Sequence, residues 1–327
     1  MLNDGPFVCA FGDVHGHLQL ALCIAARWQE QLNIKFDAVL LSGDVGTFNE
    51  ESQLDSATRR HAKADPAGLE FMYQWSVAPQ PEWLQRIFVP INENGLGLQC
   101  PVVMVHGNHE GFAYLETLVK RVIPAHPVYI DELPSVDTNQ HIHYLPSGWK
   151  LLTSSGLVVA GVGGIEKGQR HAKYHDLAYL NDDAIFSLLE GGKVDILLTH
   201  QGPSALQGEH GSQLLQLLLD EGIARVWFHG HSTRNIEINK GGPQGHTTIV
   251  PLGNITSKDE GHQAKDIGEY GCCWACLGNE LIIKREKPSF WREFSRHKWL
   301  TLPNGQLISP SLARFENRRQ PKTDKHR

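Results

Sequence analysis

Five short apolar runs in the first 231 residues each end beside a glycine and a side chain that can bind a metal ion. Such a run, stopped by glycine or a polar turn residue, is typical of a buried β-strand. Helical spacing of apolar residues over 18–32 predicts a strand–helix–strand unit, and hence a layered α/β fold. In such folds the residues after the strands gather at one edge of a sheet. The runs are Phe7–Phe11, Ala38–Leu41, Pro101–Val105, Val194–Thr199 and Arg225–Phe228.

Weaker patterns complete the expected framework. Hairpin strands are predicted at 142–145, 149–153 and 157–161, and further strands at 247–250, 271–277 and 281–284. Helices are predicted at 69–75, 83–88, 112–120, 184–190 and 212–221. The sequence therefore predicts a sheet-based domain with helices packed on the sheets.

Residues 47–100 do not continue the strand pattern. They are polar, contain four prolines and form a segment too long for a plain loop, so we interpret them as an insertion beside the sheet. The predicted organisation is one domain at 1–285 that contains this insertion, followed by a basic extension at 286–327. Residues 284–327 carry 12 Lys and Arg against four Asp and Glu, whereas the rest of the chain has a net charge of −14. This acidic body does not favour general nucleic-acid binding.

The composition excludes several classes of protein. With 327 residues, of which 41% are hydrophobic and 20% charged, the chain can bury a sizeable core. No apolar run approaches the ~18 residues that a membrane span needs, so no membrane association is expected. Six cysteines are too few for a disulfide scaffold, and the first residues lack the pattern of a secretory signal. A cytoplasmic location is therefore expected.

The side chains after the five runs form a set typical of a metal centre. Carboxylate, imidazole and amide groups together favour divalent Mn, Fe or Zn over a thiolate-bound structural zinc. The set is too large for one ion, whereas two ions ~3.5–4 Å apart that share one carboxylate would accommodate it. A single buried histidine is more often part of a core than a ligand, but five such elements in order disfavour that reading. The candidates are Asp13, His15, Asp44, Asn108, His109, His200, His229 and His231.

These blocks resemble the signature of the calcineurin-like metallophosphoesterase superfamily. The resemblance runs from Gly12 to His231 and covers Asp-x-His, Gly-Asp, Gly-Asn-His-Glu, a lone His and a final His-x-His pair. It departs at Phe228, where the family usually has glycine, but no ligand is lost. The resemblance implies a β-sandwich flanked by helices, with a two-metal site at the carboxyl ends of the strands of a metallophosphoesterase domain at 1–285.

The resemblance also implies roles for individual residues. One metal would be bound by Asp13, His15, Asp44 and His231, and the other by Asp44, Asn108, His200 and His229. His109 would be a catalytic histidine that lies close to the scissile phosphate without binding metal. Asn108 is also expected to contact the substrate phosphate, and so is His17, for which the alternative is a helix start.

The segment after Asp44 differs from the Ser/Thr protein phosphatase branch, which continues Gly-Asp-x-x-Asp-Arg. Thr47 and Phe48 stand at the last two positions here. The motif thus lacks the carboxylate that would pair with His109 and the arginine that would hold phosphate. We therefore expect the chain to be a poor phosphoprotein phosphatase.

A nearer resemblance is to the RNA lariat debranching enzymes. It rests on the insertion after Gly-Asp with Asn49-Glu50 at its start, on the hairpin that ends in Gly161–Ile165, and on the basic stretch at 167–175. Eukaryotic debranching enzymes typically carry cysteine where this chain has Asp13. A full two-metal site is therefore expected.

The implied activity is metal-dependent hydrolysis of phosphate esters by a hydroxide that bridges two metals. Phosphodiesters of nucleotide or RNA type are the expected substrates, and a phosphomonoesterase or phosphoprotein phosphatase is the alternative. A non-catalytic scaffold that keeps the fold is a second alternative. Such a scaffold would be expected to lose ligands or His109, and all of these residues are present.

Overall fold

The computed structural model describes residues 5–63, 66–119, 122–168, 175–204, 211–232, 237–257, 266–290 and 304. Most of the basic stretch at 167–175 and nearly all of the basic extension at 286–327 lie outside these residues. No helix in the described part of the chain is long and apolar enough to cross a membrane.

Two six-stranded sheets form the framework, with strands numbered along the chain. The first sheet has the order β14 (Leu281–Lys284), β13 (Cys272–Leu277), β1 (Phe7–Phe11), β2 (Phe36–Leu41), β3 (Val102–Met104) and β4 (Ile142–Tyr144). The second has the order β5 (Lys150–Leu152), β6 (Val158–Val162), β7 (Val194–Thr199), β8 (Ala224–His229), β10 (Thr247–Pro251) and β9 (Asn239–Gly241). A small ribbon pairs β11 (Thr256–Ser257) with β12 (Asp266–Ile267). In the first sheet, β1, β2, β3 and β4 run parallel to one another. In the second sheet, the same holds for β6, β7, β8 and β10. The carboxyl ends of these strands therefore lie together within each sheet.

Helices cover the sheets and fill the insertion. The α-helices are α1 (Leu18–Leu32), α2 (Ser56–His61), α3 (Glu82–Gln85), α4 (Phe112–Leu118), α5 (Asp182–Glu190) and α6 (Gln213–Asp220). A π-helical turn spans Phe71–Trp75. Short 3₁₀ turns span Glu51–Gln53, Pro66–Leu69, Ile91–Glu93, Ile130–Glu132, Asp176–Ala178 and Pro243–Gly245.

Apolar side chains form one layer between the two sheets and further layers between each sheet and its helices. Both faces of a strand contribute because successive side chains point to opposite faces of the sheet. Val8 and Ala10 of β1 belong to the apolar layer between the sheets, whereas Cys9 and Phe11 belong to the layer under α1. On the other side, Trp227 of β8 packs with apolar residues of α5 and α6. Each large apolar side chain buried in this way stabilises the fold by about 1.5–3 kcal/mol. The expected β-sandwich flanked by helices is confirmed.

Two local predictions were wrong. Residues 142–145 do not join the hairpin, because β4 lies in the first sheet parallel to β3. Of the three strands predicted for the hairpin, β5 and β6 pair antiparallel with each other. A turn at Pro146–Trp149, with Gly148 at a φ of 84°, takes the chain from one sheet to the other. The predicted helix at 83–88 ends at Gln85, because the residues after it form backbone hydrogen bonds with 96–98 instead.

Candidate active site

The loops that follow β1, β2, β3, β7 and β8 meet at the carboxyl ends of these strands, and three candidate ligands there adopt a rare backbone conformation. His15, Asp44 and His231 have φ values of 45°, 47° and 53°, in the left-handed region that non-glycine residues seldom occupy. Backbone strain of this kind concentrates at functional sites, where the surroundings maintain it. One such restraint is the hydrogen bond from the His15 amide to the Asp44 carbonyl, at 2.6 Å.

Two groups of possible metal ligands share one carboxylate. Asp13, His15 and Asp44 place ligand atoms within 4.8 Å of one another, and so do Asp44, His200 and His231. Asp44 is almost completely buried, and the neighbouring histidines lower its pKa well below the usual value although burial acts in the opposite direction. It is therefore an ionised carboxylate between two ligand groups, as a bridging ligand has to be.

His200 and His229 have the hydrogen bonding of metal ligands. The Nδ1 atom of His200 donates to the Ser42 carbonyl at 2.9 Å, which leaves the Nε2 lone pair 3.5 Å from Asp44 Oδ1. The Nδ1 atom of His229 donates to the Gly230 carbonyl, and its buried Nε2 has no hydrogen-bond partner among the described residues. Burial lowers the pKa of His229 to about 4, so the ring is neutral. A lone pair oriented by a bond at the other nitrogen is the usual state of a metal-binding histidine.

Glycine is required beside two of these ligands. A Cβ atom at Gly107 would lie 2.0 Å from Asp44 Oδ1, and one at Gly230 would lie 2.4 Å from Asp13 Oδ1. Real Cβ atoms essentially never come so close to a heavy atom. The glycines of the sequence blocks therefore let the backbone pass directly behind the carboxylates.

The donor set fits divalent cations. It combines two buried carboxylates with histidine nitrogens and an amide, and it leaves one buried nitrogen without a partner among the described residues. Asn108 belongs to this set, because its Oδ1 atom lies 3.1 Å from His200 Nε2. The structure thus brings together the carboxylates, amide and histidines that the sequence placed at the strand ends.

His109 has a carboxylate partner, contrary to the expectation from the Gly-Asp motif. Its Nδ1 atom lies 2.9 Å from Asp55 Oδ2, and Asp55 comes from the insertion rather than from the position of Thr47. Burial alone would lower the pKa of His109, but the bond to Asp55 and the nearby carboxylates raise it to about 9. The same bond lowers the pKa of Asp55 to about 2, against the effect of burial. His109 is therefore held as a cation that can donate a proton.

Glu110 fixes the loop that carries Asp44. Its buried carboxylate accepts hydrogen bonds from the backbone amides of Val45, Gly46 and Thr47 at 2.8–2.9 Å, and from the Thr47 hydroxyl at 2.8 Å. Thr47 thus serves as a donor to Glu110 where the protein phosphatase branch has a carboxylate. From the sequence, Glu110 was noted only as the last residue of the Gly-Asn-His-Glu block.

A pocket of about 250 Å³ opens beside the metal-binding groups. His15, His17 and His109 line one side, and α2 of the insertion lines another. His17 is buried at the start of α1, where its Nδ1 atom lies 3.1 Å from the Val14 carbonyl. His17 therefore lies at a helix start and lines the pocket, and its contact with the substrate phosphate stays a prediction.

Comparison with known families agrees with this geometry. Residues 8–235 match the family described as calcineurin-like phosphoesterase. The chain belongs to the calcineurin-like phosphoesterase family. Membership of this family assigns the protein to the metal-dependent hydrolases of phosphate esters. Nothing in these comparisons singles out the lariat debranching branch.

Two solved structures are similar to this phosphoesterase. One is the crystal structure of TT1561 of Thermus thermophilus, at 14% identity and a TM-score of 0.45. The other is a crystal structure at 11% identity and a TM-score of 0.47. Each match covers 86% of this chain and 99% of the other. No curated protein sequence matches significantly.

The grouping of the phosphoesterase's ligands differs in one respect from the set that the resemblance implied. His231 lies with Asp44 and His200, and its ring centre is 5.0 Å from that of His200. The implied set placed it instead with Asp13 and His15. The His231 amide does donate to Asp13 Oδ1 at 2.8 Å, so His231 borders both groups. Its partner metal remains a prediction.

Proposed function

We propose that the protein hydrolyses phosphodiesters with two divalent cations bound at Asp44. The observation that carries this proposal is the position of Asp44, whose carboxylate belongs to two groups of ligand atoms. Asp13 and His15 would complete one cation site, and Asn108, His200 and His229 the other, with His231 between them. Bound cations lower the pKa of water and offset phosphate charge, which is the chemistry that this reaction requires.

The chain's own groups would orient the phosphate and protonate the leaving oxygen. The Asn108 amide and the His109 ring lie next to the ligands, so both are in place to contact phosphate oxygens. His109, held as a cation by Asp55, would give its proton to the leaving oxygen. The bond to Asp55 fixes the ring orientation and leaves Nε2 directed away from the insertion carboxylate.

The described residues that line the pocket include no arginine, which supports a diester over a monoester. A monoester dianion carries one more negative charge than a diester, and no Arg or Lys lines the pocket among the described residues. The carboxylate that is missing at Thr47 does not distinguish the two substrates, because Asp55 supplies a carboxylate partner for His109. That pair would also suit a phosphomonoesterase, so monoester hydrolysis is the second candidate.

The test compares three substrates at equal metal loading. We expect kcat/KM to be highest for bis-p-nitrophenyl phosphate and a 2′,5′-linked dinucleotide, and lowest for a phosphoserine peptide. A clear preference for the peptide would overturn the diester proposal and favour the monoesterase. No turnover of any of the three with Mn²⁺, Fe²⁺ or Zn²⁺ added would favour a scaffold.

A further inference from the structure

Each of the two large sheets ends in two edge strands, and the edges differ in how they are protected. Residues 134–136 cover the outer side of β4 with backbone hydrogen bonds, and Val128 covers the outer side of β5 in the same way. The third edge, β9, is short and polar, and Lys240 is exposed at its centre. Short strands and charged side chains disfavour pairing with another chain. The fourth edge, β14, is apolar at Leu281–Ile283, and nothing in the described part of the chain covers its outer side.

Two residues of β14 direct their backbone groups away from the sheet. The Leu277 amide of β13 donates to the Pro6 carbonyl on the side of β1, so Leu277 does not bond to Leu281, the residue opposite it in β14. Because bonded and unbonded pairs alternate along an antiparallel ladder, the N–H and C=O groups of Leu281 and Ile283 face outward. None of the described residues forms a backbone hydrogen bond with these outward groups. Such a row of unpaired groups is a template for another strand.

The side chains of β14 are apolar at its centre and charged at its ends. Leu281 and Ile283 pack against the layer between the sheets, and Ile282 packs against the layer under α1. All three remain partly exposed. Glu280 directly precedes the strand, Lys284 is its last residue, and both side chains are exposed. The edge therefore offers apolar contacts that end in one acidic and one basic group.

This pattern is complementary to itself when two copies of β14 lie antiparallel. With Ile282 opposite the Ile282 of the second copy, Leu281 of each copy faces Ile283 of the other. In the same register, Glu280 of each copy faces Lys284 of the other. The outward backbone groups of Leu281 and Ile283 would then exchange hydrogen bonds on both sides of the twofold axis. Apolar pairs and pairs of opposite charge both stabilise facing antiparallel strands.

We propose that β14 is an interface at which two copies of this chain pair edge to edge as a twofold dimer. The first sheets of the two copies would form one continuous sheet, and the same patch would serve both copies. β14 runs parallel to β1, because both are antiparallel to β13. The twofold axis would thus place the two metal-binding sites at opposite edges of that sheet. The strand has four residues, and its pairing buries less than the ~1,200–2,000 Å² of stable interfaces, so the dimer should dissociate on dilution.

Sedimentation velocity of the full chain over a range of concentrations tests the proposal. We expect the weight-average mass to rise from that of a monomer at low micromolar concentration towards that of a dimer at submillimolar concentration. A chain that stays monomeric throughout would overturn the proposal, and so would assembly beyond a dimer, because one twofold edge contact closes on itself.

Reversal of charge at the ends of the strand identifies the interface. Lys284→Glu and Glu280→Lys each place like charges opposite one another, and each should weaken the dimer roughly tenfold. An equal mixture of these two variants should dimerise as well as wild type, because the acidic ends of one chain meet the basic ends of the other. The double variant, which exchanges the two charges, should also recover. Glu190→Lys, at an exposed position of α5, is the matched control and should not change the dissociation constant. A dimer that is equally stable in all of these variants would lie at another surface and would overturn the proposal.

Hydrogen exchange locates the contact within the strand. The amides of Leu281 and Ile283 should exchange more slowly as the protein concentration rises, because the second copy accepts their hydrogen bonds. The amide of Ile282 faces β13 and should exchange at the same rate at every concentration. Rates for Leu281 and Ile283 that do not depend on concentration would overturn the proposal even if the chain dimerises.

Discussion

The strand-end loops and the insertion contribute to the same site in different ways. The loops after the strands place metal-binding groups at the ends of elements that the sandwich core fixes. The insertion at 47–100 places a carboxylate, Asp55, against His109 and lines a pocket with small side chains. The strand ends thus hold the metal-binding groups, whereas the insertion holds His109 and lines the pocket beside it. Each prediction below perturbs one of the two regions and asks whether the other is affected.

The largest expected effect is at Asp44, in the strand-end region. In Asp44→Asn the side-chain oxygen can still accept the hydrogen bond that the His109 amide donates in the wild type, at 2.8 Å. The substitution removes the negative charge that the two ligand groups share. Hydrolysis of bis-p-nitrophenyl phosphate should fall to the background rate at any added metal concentration. Glu93→Gln, at an exposed position, is the control. Activity near that of wild type would rule out a bridging role.

His109 lies where the two regions meet, and its removal should leave the metals in place. His109→Ala should lower kcat by roughly 10²–10⁴, the usual worth of general acid catalysis. The loss should be smaller for p-nitrophenol, which leaves without protonation, than for a nucleoside. Steady-state kinetics on both substrates measures this difference. Loss of bound metal on this substitution would instead identify His109 as a ligand.

Asp55 tests the insertion's contribution to the chemistry. Asp55→Asn retains an acceptor for the Thr58 amide at the start of α2 but removes the charge that faces His109. We expect kcat for a nucleoside leaving group to fall by roughly 10–10², a typical effect of a group that orients a functional histidine. Hydrolysis of bis-p-nitrophenyl phosphate should change little. An equal loss on both substrates would show that Asp55 serves only to stabilise α2.

The last prediction concerns stability rather than activity, at the point where the insertion is attached to the framework. The buried carboxylate of Glu70 accepts from the Gln19 amide of α1 at 2.8 Å and from Trp75 Nε1 at 3.1 Å. Burial raises the pKa of Glu70 to about 8 from 4.5. The folded protein thus keeps a proton that the unfolded chain releases, so this group's contribution to stability is complete below pH 4.5 and is lost as pH rises towards 8.

Glu70→Gln should therefore flatten the decline of stability between about pH 5 and 8. Urea unfolding at several pH values measures it, and the slope should change by about 1 kcal/mol per pH unit. The exposed Glu93→Gln variant should keep the wild-type slope. The same decline in Glu70→Gln would show that Glu70 is ionised in the folded protein.

The two regions also differ in what their sequences predict. Asp13 and Asp44 each follow an apolar run, so the periodicity of the strands places them at the same edge, and the strand-end ligands follow from local patterns. Asp55 is 54 residues from His109 in sequence, and no local spacing encodes their contact. Its position three residues before Thr58 indicates only a helix cap, which it also is. The helix predicted at 69–75 forms as a π-helical turn at Phe71–Trp75, whose end residues are buried in the core, and the local pattern does not encode this helix type.

The division between the regions is tested most directly by counting bound metal ions. Elemental analysis of the purified full chain, of Asp44→Asn and of Asp55→Asn after equal metal loading gives the ratio of metal to protein. We predict two ions per chain in wild type and in Asp55→Asn, and depletion of both ions in Asp44→Asn. One ion per chain in wild type, or two retained in Asp44→Asn, would contradict a shared carboxylate at the strand ends.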